Sequence, residues 1–94
     1  MARIHLHQEV EAGPDDVVEV ILTGPANAML LDATNYEHYR RGEAFEYHGG
    51  FAKDSPFPIT PPHPGRWHLV VDLGGYTGQV EAGYRILQGA NAAE

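Results

Sequence analysis

The sequence predicts an all-β domain, an antiparallel β-sandwich or jelly-roll-like barrel of about six to eight short strands. Three observations carry this expectation. Eleven glycines and seven prolines punctuate the 94 residues, placing turn signals roughly every 8–12 residues. The segments between them alternate apolar and polar side chains with period two, the mark of half-buried strands. Helical periodicity is absent, and no gap between strands holds the helix of about ten residues that a parallel layout requires. Residues 1–88 are expected to form a single domain. Residues 89–94, "GANAAE", are small and polar and read as a flexible C-terminal tail.

The elements follow in order. "RIHLHQEV" is the first strand, with Ile4 and Leu6 inward and Arg3, His5 and His7 outward. "EAGPDD" turns. "VVEVILT", Val17 to Thr23, puts Val18, Val20 and Leu22 on one face and Val17, Glu19 and Ile21 on the other, so it is expected to be central. Gly24–Pro25 breaks it, and "ANAMLLD" resumes as a strand with Met29 and Leu31 in the core. "TNYEHYRRG", Thr34 to Gly42, is polar and rich in turn formers; it reads as one short helical turn closed by Gly42. "EAFEYHGG" is a strand with Phe45 and Tyr47 inward. The next stretch carries five prolines between Pro56 and Pro64, and "FPIT" within it reads as an edge strand, because proline offers no N–H to a neighbour. "RWHLVVDL" turns Trp67, Leu69, Val71 and Leu73 inward and Arg66, His68, Val70 and Asp72 outward. "QVEAGYRIL" closes the domain with Val80, Ala82, Tyr84 and Ile86 inside.

Composition excludes several function classes. The net charge is −7, from thirteen acidic and six basic residues, and phosphate neutralisation needs clustered Lys and Arg, so nucleic acid and anionic membranes are not expected partners. Without cysteine there is no disulfide and no thiol chemistry. There is no signal-peptide core and no run of roughly 18 apolar residues, so the default location is the cytoplasm. The six histidines make the charge sensitive to mild acid, since unperturbed imidazole titrates near ~6.5.

"RWHLVVDLGGYTG", Arg66 to Gly78, raises the question of a nucleotide site, since an acidic residue at the end of an apolar strand followed by paired glycines also opens the phosphate loop of actin-like sugar kinases. A phosphate loop needs a following helix aimed at the phosphate. Here "QVEAGYRIL" alternates as a strand, so the stretch reads as a hairpin in which Asp72 and the glycines supply the turn.

Two clusters are candidate sites. Asp32, Asn35, Tyr36, Tyr39 and Arg40, joined by His48 from the neighbouring strand, mix polar groups with aromatic rings, as ligand pockets do. These residues are expected around a shallow pocket at one end of the sandwich. The competing reading is structural: Asp32, Thr34 or Asn35 caps a turn while Tyr36 and Tyr39 pack on the sandwich. The second cluster is metal-ligating. His5 and His7 lie on one strand face about 6.5–7 Å apart, and His68 is the natural third ligand, with His48 another. Against it stands the reading of a solvated polar sheet face. Glu9, Glu11, Asp15 and Asp16 form a solvated acidic cluster, at most a weak cation site. "PFPITPPHPG" reads as a rigid edge connection ahead of a polyproline ligand.

The elements "V-x-V", "AN" before an apolar strand, "D-x-x-N-Y-x-x-Y-R-x-G", "F-x-Y-x-G-G", a proline-rich link and "G-x-W-H-L-V-V-D-L-G-G" occur in one order over residues 4–87. In this the chain resembles the bacterial domain-of-unknown-function family numbered 1883. The resemblance implies a small all-β domain, found alone or joined to a Toll/interleukin-receptor-type domain. It implies no activity, cofactor or site residue. Function is therefore expected to be that of a non-enzymatic module binding a protein or small molecule. The alternatives are a small metal-dependent enzyme of the cupin sort using His5, His7 and His68, though the cupin motif is not recognisable here, and a structural or homo-oligomer-forming domain.

Overall fold

The run "ANAMLL" is apolar on both of its faces, which means that both faces must be covered. In the computed structural model, which describes residues 6–73 and 80–89, this run is strand β3 (Ala26–Leu31) and is buried on both sides. Ala28 and Leu30 point into a sandwich core with Val18, Val20, Trp67 and Leu69. Met29 and Leu31 point the other way, into a second apolar layer with Val70, Tyr36 and Tyr39.

The sandwich is built from β1 (Leu6–Ala12), β2 (Val17–Leu22), β3, β4 (His48–Ala52), β5 (Phe57–Ile59), β6 (Gly65–Asp72) and β7 (Ala82–Leu87). One sheet has the order β1-β6-β3-β4 and the other β5-β2-β7, with every pairing antiparallel. The all-β sandwich expectation holds. So do the central place of β2 and the edge place of the proline-bearing β5. Among the described residues no helix is long and apolar enough to cross a membrane.

The second layer comes from a helix longer than the single turn the sequence suggests. Helix α1 spans Ala33–Arg41. Asp32 caps it: Oδ1 accepts the Asn35 backbone N–H at 2.8 Å. Gly42 ends it at φ 76°. There its N–H donates to the Tyr39 carbonyl at 3.1 Å and that of Glu43 to the His38 carbonyl at 2.9 Å, a closure that needs a left-handed residue. Only Tyr36 and Tyr39 of its nine residues are buried, too few for a visible apolar stripe.

Several sequence expectations are corrected. "EAFEYHGG" is not one strand: β4 starts only at His48, and Tyr47 is 46% exposed. Leu6 and Tyr84 face inward but sit at an open end of the sandwich, 49% and 39% exposed. "VVDLGG" does not open a hairpin. β6 pairs with β1 and β3 while β7 pairs with β2, so the chain crosses from one sheet to the other. Asp72 is the last residue of β6 and is buried rather than placed in a turn. Ile4 and His5, the "GGYTG" segment and the tail residues 90–94 lie outside the described residues.

Candidate functional site

Where α1 begins, the sheet edge opens into a cleft of about 550 Å³, within the range of small-molecule sites. Its floor is Leu30 of β3 and Trp67 of β6; its walls are Asp32 and Asn35 at the start of α1, the segment Phe45–His48, and His63 from the proline-rich link. The positions of these groups follow from local bonding. Asp32 Oδ1 accepts both the backbone N–H and, at 3.0 Å, the side-chain amide of Asn35. Asn35 Oδ1 in turn accepts the Glu46 backbone N–H at 2.9 Å. One side chain thus ties the helix start to the facing wall. On the floor, the Trp67 indole N–H donates to the His63 carbonyl at 3.3 Å. The Trp67 ring meets His48 edge-on at 5.6 Å and His63 at 4.9 Å. Phe45 and Tyr47 stand 5.7 Å apart with their planes tilted 45°, forming an aromatic corner.

Of the sequence-chosen ligand residues, the structure brings Asp32, Asn35 and His48 together in this cleft. Tyr36, Tyr39 and Arg40 are placed elsewhere. Tyr39 is fully buried, and its hydroxyl donates to Asp72 Oδ2 at 2.5 Å. The Asn27 amide donates to Asp72 Oδ1 at 2.9 Å, so the Asp72 carboxylate, buried under the helix, is held from two elements. Arg40 is exposed and pairs with Glu37 at 2.9 Å. Tyr36 packs against the sheet; burial raises its phenol pKa, with Arg40 opposing and Glu37 and Glu9 reinforcing the shift. Phe45, Glu46, Tyr47, His63 and Trp67 were not among the sequence candidates. The signal that could have found them is the crowding of aromatics and imidazoles on both sides of the glycine pair and in the proline link.

The metal-ligating candidates converge in part. His7 of β1 and His68 of β6 meet with Nε2 and Nδ1 2.7 Å apart, their planes within 13° and the Tyr36 ring stacked over both at 4.2 and 4.6 Å. Two imidazole nitrogens aimed at each other at this distance share a proton, one donating and one accepting. His5 lies outside the described residues, and among the described residues no group of three His, Cys, Asp or Glu is placed to hold a metal ion. The acidic cluster is dispersed as well. Asp16 accepts the backbone N–H groups of Gly13 at 2.8 Å and Gly89 at 2.9 Å, while Glu9 and Glu11 flank Arg66 at 3.7 and 3.8 Å. A second opening of about 420 Å³ lies between β1 and β7, lined by Leu6, Leu69, Val71 and Tyr84 among others.

Residues 2–89 match the family described as "Domain of unknown function (DUF1883)". The chain belongs to this family. The match takes in every element of the DUF1883 sandwich described above and all the residues of the cleft. No curated protein and no solved structure matches the chain.

Proposed function

We propose that this DUF1883 domain is a non-enzymatic binding module whose recognition site is the cleft at the start of α1. One observation supports the reading above others: a concave site of about 550 Å³ in which aromatic rings stand beside polar side chains, two of them, Asp32 and Asn35, fixed by bonds that are already made. A site held in place before the ligand arrives loses less entropy on binding. Trp67 is the sole tryptophan of the chain and forms the floor, so its fluorescence reports directly on occupancy. The test is a metabolite and peptide library screened by thermal shift and by Trp67 emission. A true ligand at 100 times its dissociation constant stabilises by about 2.7 kcal/mol. Tyr47→Ala, at an exposed wall position, should then weaken that binding while leaving the melting temperature nearly unchanged. A library that moves neither signal, or a ligand indifferent to Tyr47→Ala and His48→Ala, overturns the proposal. The metal-dependent alternative needs a third ligand for His7 and His68; metal analysis of the purified protein separates it, since stoichiometric zinc, iron or copper would favour it.

A further inference from the structure

Resting on that reading, we infer that the cleft takes an organic cation, an ammonium or guanidinium group. The charges around the cleft are unbalanced. Asp32 and Glu46 both line it, and among the described residues no Lys or Arg does. The cations that the structure pairs are engaged elsewhere: Arg40 with Glu37, Arg66 with Glu9 and Glu11, Arg85 with Glu19 at 2.6 Å. The start of α1 adds a positive dipole end of roughly half a charge, which the Asp32 cap more than offsets. Glu46 is then left over, so the cleft is net negative even after the helix is counted.

The rings point to the same ligand. Aromatic faces carry negative quadrupole density and attract cations, most of all where several faces converge. Phe45 and Tyr47 converge at 45°, and Glu46 lines the same cleft. A neutral sugar could use the rings and the hydrogen-bonding groups but would leave the excess charge unanswered. An anion would be repelled by both carboxylates, and the chain as a whole carries −7.

The experiment titrates the whole protein with propylguanidinium and butyltrimethylammonium, following Trp67 emission and amide NMR shifts of residues 45–48. Butanol, glucose and butyrate serve as neutral and anionic comparisons. Both cations should bind saturably, and more weakly as salt screens the site. Glu46→Gln, at an exposed position whose backbone bond to Asn35 is unaffected, should weaken them about two- to fivefold. If butanol, glucose or butyrate binds as well as the cations, or if Glu46→Gln and salt have no effect, the cation inference falls and the binding module stands. If no probe and no library ligand perturbs the cleft, both fall.

Discussion

Asp72 is the residue whose place the sequence conceals most. Followed by two glycines, it has the appearance of a turn residue. In the fold it sits 5% exposed at the end of β6, held by Tyr39 from the helix and Asn27 from β3. Neither partner is near it in sequence, so no local pattern announces the bond. A buried carboxylate that loses a donor keeps its desolvation cost. Tyr39→Phe should therefore lower stability by about 1–3 kcal/mol although the ring is retained. At about 4–8 °C per kcal/mol for a domain of this size, thermal melts resolve the change easily. A loss well under that range would show that the hydroxyl is dispensable to Asp72. Tyr36 makes stability depend on pH on the alkaline side. Burial raises its pKa above the ordinary tyrosine value of 10.0, so the folded state prefers the neutral phenol. That contribution is complete below the unfolded pKa and is lost as pH rises through the folded one. Stability should decline above about pH 10, and Tyr36→Phe, which keeps the stacking over His7 and His68, should decline less steeply in alkaline urea melts.

Helix α1 shows what was and was not legible among the elements. Its C-terminal stop at Gly42 was legible, and its start was narrowed to a cap at Asp32, Thr34 or Asn35, of which the fold uses Asp32. Its length was not, because only Tyr36 and Tyr39 mark its buried face. The doubly apolar runs "AMLL" and "LVV" were the indirect evidence, since a strand covered on one side only would alternate. The cleft was half legible for the same reason. Asp32, Asn35 and His48 carry local polar signals, whereas Trp67 arrives through the pairing of β6 and His63 through the proline-rich link that precedes it. The cap and the cleft are mechanically joined through Asn35. Asp32→Ala should lower stability by about 0.5–2 kcal/mol and also shift the Glu46 amide resonance, because Asn35 loses its anchor; an unmoved Glu46 would separate the two. At β4 the constraint is steric. Gly49 has φ 128°, and a Cβ there would lie 2.2 Å from the Ala28 carbonyl oxygen. Gly49→Ala should part β4 from β3, seen as rapid hydrogen exchange at the β4 amides.

The assembly of the whole molecule was the least legible scale. Period-two alternation identifies a strand and its inner face, and it is the same whichever sheet the strand joins. Thus β6 and β7, adjacent in sequence, read as a hairpin but belong to opposite sheets. The consequence is that chain ends close both sheets. Leu6 lies opposite Val71 in one, and Val18 lies opposite Ile86 in the other. Neither sheet can be completed until distant segments meet, and closing such long loops costs entropy before any contact offsets it. Folding should accordingly be slow for so short a chain, on the order of milliseconds to seconds, as in other sandwiches dominated by non-local pairs. Trp67 belongs to the four-stranded sheet yet packs in the core shared with β2 of the other, so its emission should change only when the two sheets join. Stopped-flow Trp67 fluorescence and far-UV circular dichroism should then give one and the same rate constant, with linear arms in denaturant. A dichroism phase clearly faster than the fluorescence phase would mean that one sheet forms alone, and the argument that the crossing of β6 to β7 couples the two sheets would fail.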